Sequence, residues 1–300
     1  MEKGVVNALT IDVEDAVNQA MRNFFKTDME PTVRVYNNTM RLIDLLHIYD
    51  TKATFFILGE VAKTFPGLIK EISNRGHELG IHGYSHTRYY NLSKKDVRQE
   101  IIKTKHLIED LTGVQVVGHR APEFSINPNT QWVLDILLDA GIKYDSSIYP
   151  ANTGRYGWPG FNKNIGFVIL NNHRKIIEAP LPVINYFGKD IPTCGGGYLR
   201  IYPYFVTHHS FKKIMTDRPV IVYLHPYEID PPPFDDFYMK AYRQAPLKTR
   251  IQLKKYWINR TSVTNKIRKL LQDFEFNTLN NVINESLRVD LKAFTIEDVN

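Results

Sequence analysis

The sequence predicts an α/β fold, a parallel sheet curled into a barrel with helices outside. Three observations predict it. Strand-like and helix-like stretches alternate along the first half of the chain. Short apolar runs such as Ala53–Leu58 and Val220–Leu224 have the length of buried strands. Polar clusters then follow the strands at their carboxyl ends, where such folds assemble their sites.

Val5–Ile11 reads as a buried strand. Val33–Tyr49 places Val35, Met40, Leu42, Ile43, Leu45 and Leu46 at helical spacing. Lys52–Leu58 is a strand. Val61–Asn74 is a helix bent near Pro66, and Gly76 stands where a left-handed C-terminal cap belongs. His77–Ile81 is a short strand. Ser93 precedes a helix that runs through Leu111 and ends at Gly113. Val114–Gly118 is a strand, Asn127–Ala140 a helix closed by Gly141, and Ile142–Asp145 the next strand. Residues 152–200, rich in Gly, Pro and Asn, read as an irregular insertion or hairpin region. Pro203–Thr216 is a helix and Val220–Leu224 the strand after it. Pro231-Pro232-Pro233 breaks the chain. Residues 231–300 read as a helical extension, with a last strand near Phe294–Ile296. One domain then spans residues 1–300.

Composition narrows the function classes. With 43% hydrophobic and 23% charged residues, the 300-residue chain is an ordinary globular protein and not a disordered one. The one cysteine, Cys194, excludes a disulfide scaffold and any CxxC zinc or redox site. No run approaches the roughly 20 apolar residues of a membrane span. Met1–Gly4, followed by a short apolar patch and then acids, is unlike a secretion signal, so the expectation is a cytoplasmic protein. The 38 basic and 32 acidic residues leave a formal charge of +6. Few aromatics interleave with the late basic residues, so nucleic acid is not an expected partner. A homo-oligomer is compatible with the sequence.

The chemistry-bearing clusters fall after the strands. Asp12-Val13-Glu14-Asp15 follows the first, and His82-Gly83-Tyr84-Ser85-His86 the third. His119-Arg120-Ala121-Pro122 follows the fourth, Tyr144–Ser147 ends the fifth, and Leu224-His225-Pro226 ends the last central strand. Two imidazoles on one tight loop share a metal ion readily, and a carboxylate from elsewhere completes a His₂–carboxylate site. Such a donor set suits Zn²⁺, Co²⁺ or Ni²⁺ better than Mg²⁺. Carboxylates after a strand otherwise serve as N-caps of the next helix.

In this order, the Asp12 region, His82-x-x-x-His86, Arg120-x-Pro122, Asp145 and Leu224-His225 resemble the polysaccharide deacetylase family, also called NodB-homology or carbohydrate esterase family 4. The likeness spans Val6 to about Asp230. Asp12–Asp15, Gly76-His77-Glu78 with Ile81–His86, Arg120–Pro122, Tyr144–Ser147, Gly195–Tyr198 and Leu224–Asp230 look closest to a branch found with bacterial exopolysaccharide gene clusters.

The resemblance implies a distorted (β/α)₇ barrel and a metal-dependent enzyme that removes N-acetyl groups from an N-acetylated sugar or polysaccharide. It implies one divalent ion, zinc first, on His82, His86 and a carboxylate. Val13 replaces the adjacent aspartate of the common pattern, so that carboxylate is Glu14 or Asp15. Relatives with a D-x-D start favour Glu14, the shorter side chain favours Asp15, and both stay open. Asp12 is implied as general base oriented by Arg120, and His225 as general acid oriented by Asp145. The main chain of Glu123 is implied as an oxyanion donor. Tyr84, Phe124, Tyr149 and Gly196 are expected to meet substrate, with the Gly195–Gly197 run as a cleft wall and not a phosphate loop or helix start. His77, His119, His173, His208 and His209 have no expected role. Two other functions fit the motifs. One is a metal-dependent amidohydrolase on a small amide or ureide, allantoinase-like. The other is a carbohydrate-binding protein without activity.

Overall fold

The computed structural model describes residues 5–170, 173–230, 235–288 and 293–295. Its centre is a ten-stranded sheet. The first five strands are β1 (Asn7–Val13), β2 (Thr54–Ile57), β3 (Glu78–Ile81), β4 (Gly118–His119) and β5 (Tyr144–Asp145). Next come β6 (Gly166–Ile169) and β7 (Lys175–Glu178), then the separate hairpin β8 (Val183–Tyr186) and β9 (Lys189–Pro192). The sheet finishes with β10 (Ile221–Leu224), β11 (Phe276–Asn277) and β12 (Ala293–Thr295).

The order is β10-β1-β2-β3-β4-β5-β7-β6-β12, with β11 beside β1. The strands from β10 through β7 all run parallel, which gives the expected seven. The path has two ends, so the barrel is an open, curled sheet among the described residues. β1 lies between β10 and β2 and is buried along its whole length, as a central parallel strand must be.

Helices α1 (Ala16–Phe25), α2 (Val33–Ile48), α3 (Gly59–Thr64), α4 (Pro66–Asn74), α5 (Lys94–Thr112) and α6 (Val133–Asp139) belong to the first half. The helix read over Val61–Asn74 is two helices. Pro66 has no N–H to donate, so it opens α4 instead of continuing α3. α5 starts at Ser93, whose Oγ accepts the Asp96 N–H, and stops at Gly113 with φ +69°. The helix read over Asn127–Ala140 shrinks to α6. Asn127 Oδ1 accepts the Asn129 N–H and Thr130 Oγ1 accepts the Asn127 N–H. These short side chains hold turns where helix was expected.

Residues 152–200 are more regular than their composition implied. β6 pairs antiparallel with β7 and extends the main sheet, β8 and β9 form a hairpin, and α7 (Gly196–Ile201) begins on the glycine run. Cys194 is buried there, and burial pushes its thiol up to about 12. Helices α8 (Tyr204–Met215), α9 (Asp236–Gln244), α10 (Leu247–Trp257), α11 (Arg260–Asp273) and α12 (Leu279–Leu287) follow. Pro231–Pro233 and Ile296 lie outside the described residues. The main core lies between sheet and helices, with Ile11, Phe55, Ile57, Leu68 and Val222 fully buried.

Candidate active site and metal centre

The carboxyl ends of β1, β3, β4 and β10 meet in one place. Alternation along an extended strand sends Asp12 and Glu14 to one side and Val13 to the other. Val13 accordingly sits in the core, while both carboxylates line a cavity of about 190 Å³. Asp15 faces elsewhere and caps α1. Its Oδ1 accepts the Val17 N–H at 2.8 Å, and its Oδ2 accepts the Thr32 N–H. The alternative left open at this position closes: Asp15 is the helix cap, and Glu14 is the carboxylate beside the histidines.

Glu14, His82 and His86 each offer a donor atom, all within 4.8 Å of one another. Glu14 Oε2 lies 2.6 Å from His86 Nε2, and Gln19 donates to the same oxygen at 2.5 Å. Burial alone would raise the Glu14 pKa; the neighbouring His86, His225 and His82 outweigh it and hold the carboxyl well below its usual range. His82 Nδ1 lies 2.8 Å from the Arg120 carbonyl oxygen. A carbonyl only accepts, so Nδ1 carries the proton and Nε2 keeps its lone pair for a ligand. Burial lowers the His82 pKa to about 4, which keeps the ring neutral. Two neutral-capable imidazoles and one ionised carboxylate fit a divalent ion of the zinc type.

Arg120 is fully buried and held from β1 and from the residue that follows β5. Its Nη1 donates to Asp12 Oδ1 at 2.9 Å and to Thr10 Oγ1 at 2.7 Å. Its Nη2 and Nε donate to Ser146 Oγ and O, both at 2.9 Å. The expected Arg120–Asp12 pairing is therefore present, and Ser146 is the residue that aims it.

His225 stands across the cavity, Nε2 3.9 Å from Asp12 Oδ2 and 3.0 Å from Glu14 Oε1. Its expected partner, Asp145, is elsewhere. Asp145 Oδ1 lies 2.7 Å from His119 Nδ1 and accepts the Ser147 hydroxyl at 2.7 Å. Ser147 Oγ in turn accepts the Ala121 N–H at 2.7 Å. The β4–β5 register places His119 directly opposite Asp145, so this carboxylate braces the loop behind Arg120. Glu228 takes the place beside His225. Its Oε1 is 3.7 Å from His225 Nδ1, its Oε2 accepts the His225 N–H at 3.3 Å, and Arg200 Nε lies 3.3 Å from it. Burial would lower the His225 pKa, but Glu14, Glu228 and Asp12 together raise it to about 9.

These placements separate two variants. Glu228→Gln removes a charge that favours the imidazolium, so the alkaline fall of the pH–rate profile moves to lower pH. Asp145→Asn leaves that limb in place and instead weakens a buried hydrogen-bond network, at a cost of about 1–3 kcal/mol in stability. Paired pH profiles and melting curves of the two variants check this.

Of the residues expected to meet substrate, Glu123 and Phe124 line the cavity. They stand at consecutive positive φ angles, +50° and +52°, in the turn after Pro122. The Glu123 carboxylate is tied to Arg88 at 2.7 Å and to Arg155. Tyr84, Tyr149 and Gly196 do not line the cavity. The Tyr84 ring is seated on Gly59 beneath the Lys103 ammonium. Tyr149 is fully buried and packs edge-on against Phe124 and Tyr223, so it supports the wall from behind. Gly196 has φ +48°, and a Cβ there would come within 2.5 Å of the Tyr223 ring. Gly196→Val is thus expected to lower the melting temperature, where a simple block of the cleft would not; thermal unfolding reads the difference. Gly197, the next residue, does line the cavity.

Sequence reasoning missed Glu228, Ser146 and Gln19. Glu228 had a signal, since its spacing of three from His225 is that of a capping box, and the structure forms one. Ser146 and Gln19 had none.

A curled α/β sheet that gathers two imidazoles, their carboxylate and an arginine-held aspartate defines a protein with a candidate His₂–carboxylate metal centre. Residues 28–144 match the polysaccharide deacetylase family model, and residues 146–284 match a domain of unknown function, DUF3473. The likeness to the polysaccharide deacetylase family thus rests on residues 28–144. It is 33% identical over 134 residues to a peptidoglycan-N-acetylglucosamine deacetylase of Bacillus cereus, covering 45% of each chain. It is 37% identical over 108 residues to a peptidoglycan deacetylase of Helicobacter pylori, covering 36% of each. The chain thus spans less than half the length of these curated relatives. A crystal structure from Mycobacterium smegmatis, assigned to the polysaccharide deacetylases, superposes with a TM-score of 0.64 at 18% identity. It covers 99% of this chain and 95% of its own, and shows the shared fold.

Proposed function

We propose that this protein is a metal-dependent hydrolase that removes N-acetyl groups from an N-acetylated sugar or polysaccharide. The observation that carries the reading is the grouping of Glu14, His82 and His86 with Asp12 on one side and His225 on the other. The deacetylase names of the relatives support the reaction class. A zinc, cobalt or nickel ion held by the three ligands would polarise the amide carbonyl and acidify a water.

The chain's own groups supply the proton transfers. Asp12, kept ionised and aimed by Arg120, accepts the proton of the attacking water. His225, protonated at neutral pH through Glu228, Glu14 and Asp12, gives its proton to the departing amine. The main-chain N–H of Glu123, in the turn beside the cavity, is the donor for the tetrahedral oxygen. Acetate release from N-acetylglucosamine oligomers, run beside a ureide such as allantoin, tests the reading. Acetate from the sugars and no ureide hydrolysis is the expected result; ureide hydrolysis without acetate release overturns it.

A further inference from the structure

The cavity has a second, apolar wall beside the candidate metal centre. Val17, Ala20 and Phe24 of α1, Tyr238 of α9, and Leu253 and Trp257 of α10 line it together with Glu14 and His225. These six side chains belong to one apolar cluster, in which Leu253 is fully buried and Tyr238 is 3% exposed. The Tyr238 and Trp257 rings meet edge to face, 5.7 Å between centroids. None of the three helices lies within the residues that match the deacetylase family model. α9 and α10 fall within the residues that match DUF3473 and α1 within neither match, so the wall joins segments on either side of the deacetylase match.

Val17, Ala20, Tyr238 and Leu253 are already buried against one another, so the apolar surface left for a ligand is that of the half-buried Phe24 and Trp257 rings, and covering it is favourable. Wall and candidate metal centre share one cavity. The group that covers the wall therefore belongs to the same molecule as the scissile amide. We infer that the substrate carries a hydrocarbon group close to that amide, as an N-acyl chain longer than acetyl or as a hydrocarbon aglycone, and that this wall binds it. The inference rests on the deacetylase reading and deepens it.

Two substrate series test it. One holds the methyl glycoside constant and lengthens the N-acyl group from acetyl through butyryl to hexanoyl glucosamine. The other holds N-acetyl constant and lengthens the glycoside from methyl through butyl to hexyl. In one series kcat/KM should rise about fourfold per methylene buried, the value set by hydrocarbon transfer. The series that rises identifies where the hydrocarbon is attached. Trp257→Ser should flatten the rise, and Phe24→Ser, at a half-buried position on α1, gives the same readout should the first variant unfold. A flat response in both series, with acetate still released from the methyl glycoside, overturns the inference and leaves the deacetylase reading standing. A rise that neither folded variant reduces also overturns it. No release from any member overturns the reading beneath it.

Discussion

His82→Ala is expected to strip the bound metal and bring acetate release down to background. The imidazole is fixed through its Nδ1 proton on the Arg120 carbonyl, so Nε2 is the atom lost to the ion. Two of three donors remain, Glu14 and His86, 2.6 Å apart. Loss of even a group that only hydrogen-bonds a metal ligand costs about 10–100-fold in metal affinity or activity, and removal of a direct ligand costs more. Asp15→Asn is the control. Asparagine also caps helices, so that variant should keep its metal and its rate. Metal analysis of both purified variants distinguishes the carboxylate that binds from the one that caps.

Asp12→Asn is expected to cost about 10²–10⁴-fold in kcat/KM with metal content unchanged, the effect of a lost proton-transfer group. Asparagine keeps the shape and can still accept from the Arg120 guanidinium. What disappears is the basic oxygen. Release of the metal by this variant would show that Asp12 is itself a ligand and that the base lies elsewhere.

Much of the fold was legible because local chemistry and tertiary context agreed. Ser93 and Gly113 bracket α5 as a capping serine and a left-handed glycine should. The strand runs were legible because a central parallel strand must be apolar on both faces. The failures have a common cause. Asn127–Ala140 has helical spacing, yet its asparagine and threonine side chains bond their own backbone first. Residues 152–200 looked irregular because an antiparallel edge pair and a hairpin need turn residues, and turn residues resemble disorder in composition.

In the site, the motifs located the groups that sit at strand ends, since strand order and alternation fix where those ends point. They misassigned the groups whose partners depend on register. Asp145 faces His119 across β4–β5 and not His225 across the cavity. The carboxylate beside the His225 ring is instead that of Glu228, in the turn that follows His225, 3.7 Å from Nδ1. The apolar wall was illegible for a different reason. α1 and α10 are more than two hundred positions apart in sequence, and only the folded chain brings Phe24 and Leu253 to one cavity.

The proposed deacetylase activity depends on one ion held by Glu14, His82 and His86. The direct measurement is acetate release from N-acetylglucosamine oligomers as zinc is titrated into chelator-stripped protein. Activity is expected to rise linearly and break at one equivalent, with no such rise in His82→Ala. Full activity in the stripped protein, or a break at two equivalents, would contradict it.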